Sequence, residues 1–246
     1  MLAHEWLKQA RTVMDRIEET QTDNIRKAAE VMADSIAAGR WVHTFGCGHA
    51  TIPVEEMYPR IGGFVGFHPM IELPLSFFTH IVGEMGVHQF VFLERVEGYG
   101  KEMMKSYTFD ERDTLWIFSH SGINNVNIDV ALEAKKQGMK IVTTGSAEEY
   151  KDIASRHSSG KRIPEIADIV IDTCVPARDA AVPLKNHFDY VGPVSTMGFV
   201  TTVWMTITTV AEILVERGEK LYIHPSHNVP GDTTAVSYTH LTLPTN

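Results

Sequence analysis

Leu115-Trp-Ile-Phe-Ser-His-Ser-Gly-Ile-Asn-Asn125 decides how this chain is read. The apolar run Leu115 to Phe118 opens into a hydroxyl-rich turn, Ser119-His120-Ser121-Gly122. Beyond it Val126, Val130 and Ala134 recur every four residues, the spacing of one helix face, and Gly138 closes the segment. Buried strand, polar turn, helix N-terminus: this order builds an anion site in α/β proteins. The first helical turn has unpaired N–H groups and a partial positive charge. Ser119, Ser121 and Asn124 add side-chain donors, enough to hold a phosphate without Lys or Arg. The same residue types also serve as plain N-caps, and a second such turn upstream tips the reading toward the anion site.

That second turn is Gly46-Cys-Gly-His-Ala50, entered from the apolar run Trp41 to Phe45 and followed by a helical stretch through Glu55, Glu56 and Arg60 to Gly62-Gly63. It is no dinucleotide fingerprint, since Thr51 stands three residues after Gly48, and no Walker loop, since Gly-Lys-Ser/Thr is missing. A third polar turn, Thr144-Gly-Ser146, ends the strand-like run from Lys140. Further strands are read at Phe64–Phe67, at Ala167–Asp172 and over Lys220–Ile223, with a mixed, partly helical stretch from Glu72 to Gly86 and a helix from Gly100 to Tyr107. Residues 2–38 form a helical lead-in with two apolar stripes, and Thr22 and Asp23 between them are placed to cap a second helix. Residues 147–165 are a polar connection, and a long helix follows Pro193 to Gly218.

Alternation of strand and helix with long crossovers predicts an α/β three-layer sandwich around a mostly parallel, flavodoxin-like sheet. Ligands of such sheets bind beyond the strands' carboxyl ends, where all three turns lie. The domain is expected over residues 41–234 behind the helical segment 1–40. Residues 235–246, uncharged apart from a His and unlike the rest, read as a non-native tail.

The 246 residues suit one domain of this kind, and 43% hydrophobic with 22% charged residues is ordinary for a globular chain. A net charge of −9, with no basic run longer than Lys161-Arg162, argues against nucleic acid or an anionic membrane as main partner. Cys47 and Cys174 form no CxxC pair, which fits a reducing cytoplasm, and the N-terminus lacks the apolar core of a signal peptide. Tyr190–Ala211 is uncharged and long enough to span a bilayer, but its Gly192, Pro193, Gly198 and many threonines suit a buried or subunit-facing helix instead.

Ser119-x-Ser-Gly-x-Asn124 with Ala131-x-x-Ala-Lys-x-x-Gly138 resembles the SIS (sugar isomerase) domain. Gly46-Cys-Gly-His-x5-Glu-Glu-x3-Arg60-x-Gly-Gly63, Arg156-His-x-Ser-Gly-Lys-Arg162 and Val191-Gly-Pro-Val-Ser-Thr196 resemble one bacterial branch of it, often labelled phosphoheptose isomerase. The resemblance spans roughly residues 2–232. It implies a phosphosugar ligand, a homodimer or homotetramer, and a phosphate held by Ser119, Ser121 and Asn124 with help from Gly46–Ala50. Gly48, His120, Gly122, Thr144 and Ser146 complete the expected substrate-binding set. Ala50 stands where many members carry Ser, so one hydroxyl is missing. An aldose–ketose isomerase needs a base, and Glu55 or Glu56 is the expected one, with His49, His120 and His187 as the candidate catalytic partners. A salt bridge to Arg60 or a subunit contact is the alternative role of the Glu pair. Some phosphoheptose isomerases bind zinc, but Ile52 occupies the place of the needed His, and Pro225 breaks the pair His224-x-x-His227. No metal and no cofactor is expected. A non-catalytic phosphosugar sensor and an etherase acting on an amino-sugar phosphate are the competing readings.

Overall fold

The computed structural model describes residues 1–57, 60–76, 86–226 and 228. The tail 235–246 and His227 lie outside them. In chain order the elements are α1 (Leu2–Ala37), β1 (Val42–Gly46), α2 (Ile52–Met57), β2 (Phe67–Met70), α3 (Leu73–Ser76), α4 (Gly86–Leu93) and α5 (Tyr99–Met104). They continue with β3 (Thr114–Phe118), α6 (Asn125–Lys136), β4 (Lys140–Gly145), β5 (Ile169–Asp172), β6 (Ala180–Pro183), β7 (Tyr190–Pro193) and α7 (Ser195–Glu216).

Every residue of β1 and β3 is buried, as strands covered on both faces must be. Successive side chains point to opposite faces, so Trp116 and Phe118 join the layer of α1 and α7 while Leu115 and Ile117 join that of α5 and α6. The strands order themselves β2-β1-β3-β4-β5, all parallel. This is the expected α/β three-layer sandwich. Its strand order reverses between β1 and β3, the switch point where such sheets leave a crevice.

Several local readings change. The two stripes of residues 2–38 belong to one 36-residue helix, not two. Thr20 and Thr22 donate to the carbonyls of Arg16 and Glu18 at 2.6 and 2.7 Å, so these hydroxyls are satisfied inside the helix and start no new one. Continuous burial of Val13, Ile17, Ile25, Ala29 and Met32 keeps the helix unbroken. The second strand lies at Phe67–Met70, a little later than its apolar run suggested. Lys220–Ile223 forms no strand of its own, and Ile223 only bridges antiparallel to Phe64. An antiparallel hairpin, β6–β7, had no counterpart in the sequence reading.

The uncharged helix α7 is long and apolar enough to cross a membrane by length and composition, yet half of its most apolar window is buried inside the protein. Its start is held by Asp179 of the hairpin, whose carboxylate accepts from the amides of Val194 and Ser195 at 2.9 and 2.7 Å and from the Ser195 hydroxyl at 2.8 Å.

Candidate functional site

At the switch point the turns after β1 and β3 face each other across a cavity of about 180 Å³. Its walls include Cys47, His49, Ala50, Ser119, His120, Ser121 and Asn124 from these turns, with Glu94 and Phe90 from α4 and its exit. The backbone crowds here. A Cβ on Gly46 would stand 2.1 Å from the Ala50 carbonyl oxygen, and one on Gly145 would stand 2.0 Å from that of Ser119. Only glycine lets the strand ends approach the turns so closely.

The Ser119 hydroxyl accepts from the Gly122 amide at 3.1 Å, which folds the turn on itself. Asn124 is the N-cap residue of α6 but makes no side-chain cap. Its amide nitrogen donates instead to Glu94 Oε2 at 2.8 Å, and its Oδ1 accepts from Arg156 Nη1. Burial pushes the Glu94 carboxyl above its ordinary pKa, although Asn124, Arg95 and Arg156 pull against it.

Both ring nitrogens of His120 are buried without a hydrogen bond of normal geometry. Its ring lies 5.4 Å from that of Tyr150 and 6.2 Å from that of His49. Burial lowers the pKa of His120, outweighing the upward pull of Asp179 and the Ala177 carbonyl. His49 keeps an exposed edge, but desolvation by the protein around its ring also lowers its pKa, and His120 adds to this against Asp179. Both shifts favour the neutral imidazole.

The other expected residues are scattered. Thr144 is fully buried and accepts from Trp116 Nε1 at 2.9 Å, while Ser146 donates to the Val175 carbonyl. Ser146 and Gly122 line a smaller recess next to the cavity, which Ser119, His120 and Ser121 share. Glu55 is exposed on α2, and neither it nor Glu56 lines the cavity. Glu56 accepts from Trp204 Nε1 at 3.3 Å and pairs with Arg60 at 3.3 Å, the salt bridge named above as its alternative role. His187 lies exposed in the hairpin loop, 3.6 Å from Asp189. Among the described residues no three His, Cys, Asp or Glu side chains converge as metal ligands. Sequence reading missed Glu94 as a lining residue and Arg156 as the partner of Asn124, because only the fold brings them together.

Fold and crevice define a doubly wound α/β protein with a cavity at its switch point. The model of the SIS domain matches residues 5–146, and the chain belongs to that family. It is 35% identical over 218 residues to a UPF0309 protein of Oceanobacillus iheyensis, covering 89% of this chain and 87% of that one. A UPF0309 protein of Shouchella clausii is 34% identical, with 83% and 81% covered. A solved phosphoheptose isomerase from Francisella tularensis has a TM-score of 0.56 at 11% identity, covering 85% of this chain and 96% of that one. One from Neisseria gonorrhoeae has a TM-score of 0.51 at 12% identity, with the same two shares covered, 85% and 96%. These likenesses establish the fold.

Proposed function

We propose that this protein binds a sugar phosphate at the switch-point cavity and interconverts its aldose and ketose forms. The SIS family and the phosphoheptose isomerase fold support a phosphosugar ligand. One observation carries the reaction: the Glu94 carboxylate opens on the same cavity as the Ser119–Asn124 turn.

In this reading the phosphate rests on the first turn of α6, where the partial positive charge of the helix and the Ser119 and Ser121 hydroxyls receive it. The sugar carbons then extend across the cavity toward Glu94. Its carboxylate takes the proton from the carbon beside the carbonyl, leaving an enediolate, and the resulting carboxylic acid returns that proton to the neighbouring carbon. A raised pKa suits this role, since a base works best when its pKa lies near the operating pH. Neutral His120 and His49 carry the accompanying proton between the two sugar oxygens, accepting from one and donating to the other. Glu94 is the base, in place of Glu55 or Glu56, because neither of those side chains reaches the cavity wall. A homodimer or homotetramer working in the cytoplasm is part of the same proposal.

The test is a thermal-shift panel of sedoheptulose, fructose, glucosamine and N-acetylmuramic acid phosphates, followed by carbon NMR of whichever binds. Binding with aldose–ketose exchange, abolished in Glu94→Gln, supports the isomerase. Binding without any turnover replaces it with a sensor, and loss of a lactyl ether with an etherase. No shift for any phosphate sinks the reading.

A further inference from the structure

We infer that Arg156 is the cationic phosphate-binding residue of this site, held at the cradle by the strap of residues 155–162. This rests on the phosphosugar reading for the location of the phosphate, but its own evidence is separate.

The strap is fastened to the cradle turn at both ends. The Arg156 amide donates to the Ile123 carbonyl at 3.0 Å, and just beyond the strap the Ile163 amide donates to the Gly122 carbonyl at 2.9 Å. Between these points the strap is pinned to the body of the protein. His157, whose side chain is only 8% exposed, sets its Nε2 3.2 Å from Asp129 Oδ1, and its Nδ1 lies 2.9 Å from the Ser159 hydroxyl. Asp129 is fixed in turn by the amides of Gly98 and Gly100, at 2.7 and 3.2 Å. The Ser158 amide donates to Glu97 at 2.9 Å, and the Ser158 hydroxyl donates to the same carboxylate. So many bonds over a few residues hold one backbone position still, and that position is Arg156.

Its guanidinium emerges exposed beside the first turn of α6 and gives one N–H to Asn124 Oδ1. A guanidinium has five donors, so most remain available. Among the described residues Arg156 makes no ion pair, unlike Arg162 on the same strap, which pairs with Glu165 at 3.3 Å. Asn124 completes the argument. Its amide nitrogen gives one of its two N–H groups to Glu94 and its oxygen accepts from Arg156, so a single neutral N–H is all this side chain has left for an anion. The hydroxyls of Ser119 and Ser121 are neutral, and Ala50 adds none. A dianionic phosphate monoester set on these groups lacks only a formal positive charge, which Arg156 carries on a planar fork that matches two phosphate oxygens.

The experiment is a phosphorus NMR and calorimetric titration with inorganic phosphate and with each sugar phosphate that shifts the melting temperature. It compares the full chain with Arg156→Ala, Arg156→Lys and Ser121→Ala. Arg156→Ala is expected to weaken phosphate binding about 10- to 100-fold and to flatten its salt dependence, with Arg156→Lys recovering part of both. The non-phosphorylated sugar should bind all four proteins alike. Phosphate affinity and salt dependence unchanged in Arg156→Ala, while Ser121→Ala still weakens binding, would overturn the inference and leave the phosphosugar reading standing. Inorganic phosphate lost with Arg156→Ala but no sugar phosphate bound would uphold the anion site and discard the sugar. No phosphate bound by the unaltered chain overturns both.

Discussion

At the N-terminal ends of β1 and β3, Asp113 is buried and fully partnered. Arg40 donates to it twice at 2.9 Å, the amides of Trp41 and Asp110 donate at 3.0 and 2.7 Å, and His43 Nε2 lies 3.2 Å away. His43 in turn shares a proton with His68 across 2.9 Å. At the carboxyl ends of the same strands, His120 buries two nitrogens without such a bond and Glu94 faces an open cavity. The first cluster closes on itself and ties β1 and β2 to the turns that lead into β1 and β3. The second is left incomplete by the protein itself, so its donors and acceptors remain to be met from the cavity. Two polar clusters on two shared strands differ in satisfaction, and the proposed function is placed on the unsatisfied one.

The largest test of this contrast is Glu94→Gln. It removes the base but keeps an acceptor for Asn124, so turnover should fall about 10²- to 10⁴-fold while sugar-phosphate affinity, read by calorimetry, stays nearly constant. Asp113→Asn should do the opposite. It leaves Arg40 without its buried counter-charge, so chemical denaturation should show a loss of about 3 kcal/mol while phosphate affinity is unchanged.

How much of this was legible beforehand depends on range. The buried runs of β1, β3 and β4 and the turns behind them depend on neighbours in sequence, and they were read correctly. β2 was misplaced because Pro69 interrupts its pattern, and the hairpin β6–β7 was missed because its strands are only four residues long and each ends in a proline, which reads as a turn. Glu94 and Arg156 reach Asn124 across 30 and 32 residues of chain, a meeting that no spacing rule reports. The carboxylates at Glu55 and Glu56 looked suitable because they follow a glycine turn, but the face of α2 they occupy is set by packing on α7.

A smaller effect is expected from Ser121→Ala, which should weaken phosphate binding by about 1 kcal/mol without altering the melting temperature. The two clusters also part company with pH. Burial opposes ionisation of Asp113, but hydrogen bonds from His43, Arg40 and the amides of Trp41 and Asp110 outweigh it and hold the carboxyl well below the usual range. A depressed folded pKa contributes stability above the unfolded value of about 3.9, and that stability is lost as pH falls through the folded value. The stability that Asp113 contributes should therefore be intact above about pH 4 and erode progressively below it. Glu94 is shifted the other way, so the acid limb of turnover should lie above about 4.3, the value of a free Glu, and activity should fail on acidification before the fold does.

Pro69 has one more consequence. It sits in β2, an edge strand, and β2 remains in register with β1 along all four of its residues. The donor that proline lacks is therefore missing on the outward side, where a strand from another chain would have to attach. That border of the sheet offers a broken template to aggregation, and the molecule gains protection from fibre-like growth at a position unrelated to its ligand.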